Sequence, residues 1–226
     1  PKPSSAASDV YKRQGQGCYL GVALVPVDIS SDALRGLANQ GFRAVRFNFM
    51  KHLGVGANPE ALVELTRRLA EHHMHLQVHF DPGLIDDLSP WLKRSAVPVV
   101  IDHMARVDAT QGIQDHAFQA LCRLLDNKRF HVKVSGIDRV NEKLPLDNPP
   151  YPLGIKLAAY LVSAFPSQCL WGTDWPHPNH THIPDDGVLV QALAHIAPSP
   201  KLLQQLLVDN PQKLYRFDTS TPINAS

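Results

Sequence analysis

Six short apolar runs recur along this chain, each followed by a stretch with helical periodicity, and this alternation limits the possible folds more than any other feature. The runs are Tyr19 to Val27, Ala44 to Phe49, Leu76 to Phe80, Val97 to His103, His131 to Ser135 and Cys169 to Thr173. Several are apolar almost throughout, the pattern of strands covered on both faces in a parallel sheet. Between them, Ser31 or Asp32 is placed to cap a helix that Gly41 ends. Asn58 before Pro59 opens another helix, with Leu62, Leu65 and Leu69 on one side. Phe118, Leu121 and Leu125 repeat that spacing, as do Ile155, Ala158, Leu161, Val162 and Phe165. Two more helices are expected around Val188 to Ile196 and Lys201 to Val208.

A βαβα rhythm leaves an open doubly wound sheet or a closed barrel. No GxGxxG follows any strand, which removes the support a dinucleotide-binding sheet would have, and no internal repeat offers a rival. The expected fold is therefore α/β, a (β/α)8 TIM-type barrel. Such a barrel usually takes about 250 residues. With six candidate strands in 226 residues, the expectation is a barrel lacking its N-terminal strand or strands. Residues 1–14 read as a non-native or disordered tail, 15–218 as the barrel domain and 219–226 as a disordered C-terminal tail.

Twenty-two basic and 21 acidic residues, with no long run of either sign, leave no footprint for nucleic acid or an anionic membrane. Cys18, Cys122 and Cys169 are odd in number and scattered, which argues against a disulfide framework and for a reducing, cytoplasmic setting. The expected partner is a small molecule, and the oligomeric state is left open.

In parallel barrels catalysis gathers where the strands end, and here the strand ends are polar. VPVVIDHMAR brings Asp102, His103 and Arg106 to one exit, and AVRFNF puts Arg46 and Asn48 on one side by the two-residue strand period. LQVHF ends near His79, HVKVSG near Lys133 and Ser135, and LWGTDWPHPN at Asp174 and His177. Read singly, Asp174 also fits a turn cap before Trp175 and Pro176, His103 a buried histidine satisfied by Asp102, and Arg46, Arg106 and Arg139 ordinary surface arginines. Their concentration at strand ends favours a site. Asp174 suits a general base for water attacking a carbonyl, and His103 a hydrogen-bond donor to the carbonyl oxygen as charge develops on it. Several guanidinium groups in one pocket imply a substrate bearing carboxylates. Two HxH pairs, His73 with His75 and His180 with His182, have a common metal-ligand spacing, but the first falls where a strand begins and the second in a loop after Asp174.

GTDWPHPN (Gly172 to Asn179), VRFNF (Val45 to Phe49), IDHMAR (Ile101 to Arg106), VKVSG (Val132 to Gly136), PDDG (Pro184 to Gly187) and LVDNPQKLY (Leu207 to Tyr215) together closely resemble the 2-pyrone-4,6-dicarboxylate lactonases of the amidohydrolase superfamily. The resemblance runs from about Gly15 to Tyr215. It implies hydrolysis of the ring ester of a di- or tricarboxylate lactone in bacterial breakdown of lignin-derived aromatics, with Asp174 as base and His103 near the substrate carbonyl. It further implies Arg46, Arg106 and Arg139 as holders of substrate carboxylates, with His79, His52, Asn48, Ser135 and His177 bordering the substrate. It implies no cofactor, since this branch works without a divalent metal. Two departures stand out. Nothing before Tyr19 matches the family's HxH strand, and His52 and His79 stand where the family tends to carry an arginine and a tyrosine. The rivals are a metal-dependent amidohydrolase or decarboxylase on the same fold, and an inactive paralogue.

Overall fold

A computed structural model describes residues 19–49, 58–141, 150–177 and 183–217. All six expected strands form: β1 (Gly21–Leu24), β2 (Phe42–Phe49), β3 (His75–Phe80), β4 (Val99–Ile101), β5 (Phe130–Lys133) and β6 (Cys169–Leu170). They make one sheet in the order β1-β2-β3-β4-β5-β6, every pair parallel. A doubly wound sheet reverses its strand order at a switch point; this order never reverses, which is the winding of a barrel. Among the described residues β1 and β6 do not pair with each other.

The helices are α1 (Ser31–Asn39), α2 (Pro59–Glu71), α3 (Ile85–Leu92), α4 (His116–Leu125), α5 (Pro152–Ala164), α6 (Asp186–Gln191), α7 (Leu193–Ile196), α8 (Pro200–Gln204) and α9 (Asn210–Tyr215). The cap of α1 is Ser30, one residue before the first expected position: its hydroxyl accepts from the Ala33 amide at 3.2 Å. Asn58 caps α2 as expected, accepting from the Glu60 amide at 2.9 Å. The two C-terminal helices are each broken in two, and Gln205–Asp209, after α8, is π-helical. That segment leads to Asn210, whose Nδ2 donates to the carbonyls of Pro166 and Cys169, both at 2.7 Å, and so ties α9 to the start of β6.

The two faces of the sheet differ in chemistry. On β3, Leu76, Val78 and Phe80 join the core with Val45, Val99, Ile101 and Val132, against Leu65 and Leu69 of α2 and Phe118 and Leu121 of α4. Each such side chain contributes about 1.5–3 kcal/mol when fully buried. The alternate residues of β3 are His75, Gln77 and His79, all at most 5% exposed. By the two-residue period they lie on the other face, so a polar column runs along the inside of the sheet.

Candidate active site

Arg46 on β2 lies opposite Gln77 on β3, and Val100 on β4 is the next neighbour of Gln77 in register. Asp102, two residues after Val100, is 1% exposed and becomes a hub for this inner face. Arg46 Nε donates to its Oδ2 at 2.7 Å, Gln77 Nε2 donates to the same oxygen at 2.9 Å, and Lys133 Nζ of β5 stands 3.1 Å from Oδ1. Burial alone would push this carboxyl up; Lys133, His103 and Arg46 outweigh it and hold the group below the usual carboxylate range.

The chain leaves β4 in an unusual turn. His103, Met104, Ala105 and Arg106 all take left-handed φ, at 48°, 52°, 56° and 55°. For residues other than glycine this costs about 1–2 kcal/mol each. Met104 and Ala105 are wholly buried, so core packing offsets the cost. The turn presents His103 and Arg106 to the same cavity. Gly136 after β5 fits against it: φ there is +72°, and a Cβ would sit 3.1 Å from His103 Nδ1.

His103 is 5% exposed. Its Nδ1 is 3.0 Å from the Ser135 hydroxyl and its Nε2 is 3.5 Å from Asp174 Oδ1. The other Asp174 oxygen accepts from Arg139 Nε at 2.8 Å and also from Arg139 Nη2. Asp174 itself has φ +69° and precedes a cis Trp175–Pro176 bond. The His79 ring stands edge-on to His103, centroids 5.3 Å apart, and both its nitrogens are buried without a hydrogen-bond partner among the described residues.

These groups border one cavity of about 640 Å³. Of the residues singled out from the sequence, Asp174, His103, Arg46, Arg106, Arg139, His79 and Ser135 line it. Asn48 and His177 do not. Asn48 lies opposite His79 with its Oδ1 buried and without a partner among the described residues, and His177 Nε2 is 3.2 Å from Asp186 Oδ1. His52, His180 and His182 fall outside the described residues, as do residues 1–14 and 219–226. Sequence reasoning missed Gln77, and gave Asp102 and Lys133 no role. Gln77 was findable, since it precedes His79 by one strand period. Tyr215 of α9 also lines the cavity, and only the fold brings it there. Among the described residues no group of three or more His, Cys, Asp or Glu is arranged to hold a metal ion, and no helix is long and apolar enough to cross a membrane.

Both cavity histidines are held neutral. Burial pushes His103 down to about 4, with Asp102 and Asp174 pulling the other way and Arg139 and Lys133 adding to it. Burial, then His103 and Arg46, push His79 down to about 3. Both values lie below the ordinary histidine value, so on acidification the unfolded chain takes up protons first. Their contribution to stability is intact above about pH 6.5, and as pH falls each costs on the order of 1.4 kcal/mol per unit until the folded value is reached. Urea unfolding midpoints are therefore expected to drop steeply between pH 6.5 and 5, and less so in His79→Gln. A flat profile would contradict the neutral assignment.

The amidohydrolase family model matches residues 9–217. Over 216 residues the chain is 37% identical to a 2-pyrone-4,6-dicarboxylate hydrolase of Comamonas testosteroni, covering 93% of this chain and 70% of that one. It is 31% identical to a 4-sulfomuconolactone hydrolase of Hydrogenophaga intermedia, covering 94% and 70%. A crystal structure of a probable 2-pyrone-4,6-dicarboxylic acid hydrolase from Acinetobacter baumannii, with citric acid bound, superposes with a TM-score of 0.80 at 27% identity, covering 95% of this chain and 79% of that one. Strand order, polar strand ends and sequence relationship agree, and the chain belongs to the amidohydrolase family.

Proposed function

We propose that this chain is a hydrolase opening the ring ester of a carboxylated lactone such as 2-pyrone-4,6-dicarboxylate, in the catabolism of aromatic compounds. The observation that carries the reading is the placement of Asp174, with one oxygen anchored by Arg139 and the other 3.5 Å from His103 Nε2 in a cavity rich in cations. Four cations border that cavity, Arg46, Arg106, Lys133 and Arg139, against the carboxylates Asp102 and Asp174. Two positive charges in excess match a dianion. The relatives named lactone hydrolases support the same substrate class.

In this mechanism Asp174 takes a proton from water as the water oxygen bonds to the lactone carbonyl carbon. The carbonyl oxygen gains negative charge and accepts a hydrogen bond from His103 Nε2. A neutral imidazole whose Nδ1 accepts from the Ser135 hydroxyl carries its hydrogen on Nε2, as this role needs. The ring C–O bond then breaks, and Asp174 returns its proton to the leaving oxygen, giving a ring-opened acid. Arg106, Arg139 and Arg46 orient the substrate carboxylates, Arg46 through a guanidinium that Asp102 holds in place. His79 borders the lactone ring; Asn48 and His177 support the rim. No divalent ion takes part.

The direct test is ultraviolet-monitored loss of 2-pyrone-4,6-dicarboxylate, with and without a chelator. Chelator-resistant turnover supports the reading. Turnover abolished by chelator and restored by a divalent ion would replace it with metal-dependent hydrolysis. No turnover of this or related carboxylated lactones would leave an inactive paralogue.

A further inference from the structure

A second cavity, of about 540 Å³, opens at the end of the sheet where the strands begin, away from Asp174. Its wall includes His75 at the start of β3, His131 on β5, His73 and Lys128 from the flanking connections, Lys213 of α9 and Arg216 just after it. No aspartate or glutamate borders it among the described residues. The His75 ring stands edge-on to Tyr215 at 4.9 Å. Since Tyr215 lines the first cavity and His75 the second, this pair divides them.

Among the described residues no carboxylate neutralises these cations. Lys128 Nζ donates to Gln168 Oε1 at 2.9 Å and Arg216 donates to the His73 carbonyl, both uncharged acceptors. Among the described residues no carboxylate forms an ion pair with Lys128, Lys213 or Arg216. Polar capacity is also unused deeper in. His75 is 3% exposed, and its Nε2, like His131 Nδ1, is buried with no hydrogen-bond partner among the described residues. A buried polar nitrogen left unpaired is costly, and a ligand bearing acceptors removes that cost.

We propose that this second cavity binds a small phosphate-bearing anion, with His75 and His131 at its floor and Lys128, Lys213 and Arg216 around its mouth. Phosphate fits better than carboxylate for a geometric reason. The donors converge from separate segments of chain, and only one is a planar guanidinium fork; the lysines act as point charges. A compact anion with acceptor oxygens on several sides satisfies such an arrangement, whereas a planar carboxylate does not. Neutral histidines suit the floor, since burial followed by Lys133, His131 and Arg216 pushes His75 down to about 3, leaving an imidazole that donates through one nitrogen.

The test is isothermal titration of the full chain with inorganic phosphate and, separately, glycerol 3-phosphate, at constant ionic strength set with chloride. The catalytic cavity is also cationic, so two variants separate the sites: Arg106→Gln for the first cavity, and Lys213→Gln alone or with Lys128→Gln for the second. The expected result is saturable binding retained in Arg106→Gln and weakened at least tenfold in the double lysine variant, with Lys213→Gln between. Tighter binding of glycerol 3-phosphate identifies a phosphomonoester as the ligand, and equal binding identifies free phosphate; either supports the site. Binding that disappears in Arg106→Gln but survives the lysine substitutions overturns the proposal, as does no saturable binding or equal affinity for succinate.

Discussion

Asn in place of Asp174 is expected to lower kcat for lactone hydrolysis by about 10³-fold while leaving substrate affinity within about threefold. The amide is nearly isosteric and can still accept from Arg139, which now donates to Oδ2 at 2.8 Å through Nε. It cannot take a proton from water. In the proposed mechanism the carboxylate acts on the reacting water and not on the substrate's acid groups, so the loss should fall on kcat and not on KM. Steady-state kinetics beside calorimetric binding of the dicarboxylate would read both terms. Activity within tenfold of the parent enzyme would remove Asp174 from the role of base. An equal loss in His103→Gln and in the double variant would indicate that the two act as one unit, as their 3.5 Å approach suggests.

Asp102→Asn is expected to cost about 3 kcal/mol of folding stability, although the substitution changes almost no volume. Its carboxylate is buried and answers Arg46 at 2.7 Å and Lys133 at 3.1 Å. Removing one partner of a buried ion pair leaves the other charges uncompensated, which is where the roughly 3–5 kcal/mol penalties of such substitutions arise. Here two cations, Arg46 on β2 and Lys133 on β5, would be left without the carboxylate that lies between them. Pairing the change with Lys133→Met should recover part of the loss in chemical denaturation, because the repulsion then disappears. A loss below about 1 kcal/mol, or no recovery in the double variant, would mean that Asp102 is not the hub. Acid should act in the same direction: the folded carboxyl titrates below the unfolded one, so its contribution is present above the ordinary carboxylate range and fades as pH falls beneath it.

The strands were legible because each carries β-branched or other apolar residues that the helices cover, and runs such as VPVVI and HVKV stand out from their surroundings. The helix Ile85–Leu92 was not, because Asp86, Asp87 and Pro90 read as turn residues; Pro90 is tolerated inside an eight-residue helix whose Ile85, Leu88 and Leu92 reach the core. At the candidate site, strand-end position pointed to Asp174, His103 and the arginines, which line one cavity, since the rim of a parallel barrel is where polar side chains converge. Gln77 escaped because it sits within a strand, where alternation looks like ordinary amphipathicity, and Lys133, at the end of β5, was left without a role because nothing local shows that it meets Asp102. The left-handed turn was illegible for a different reason. HMAR contains no glycine, so nothing local announces positive φ, and the burial of Met104 and Ala105 against the core helps to sustain it.

That turn has a consequence for how such an enzyme can change over generations. His103 and Arg106 are carried on one strained rung of backbone, so the imidazole and the guanidinium to which the proposed mechanism gives the carbonyl and the acid groups cannot be moved independently. A lineage exploring new lactones through this loop would disturb reactivity whenever it altered selectivity. Arg46, Arg139 and His79 stand on other segments and carry no such linkage. Divergence in substrate range is therefore free to accumulate there, while the tetrapeptide after β4 stays fixed.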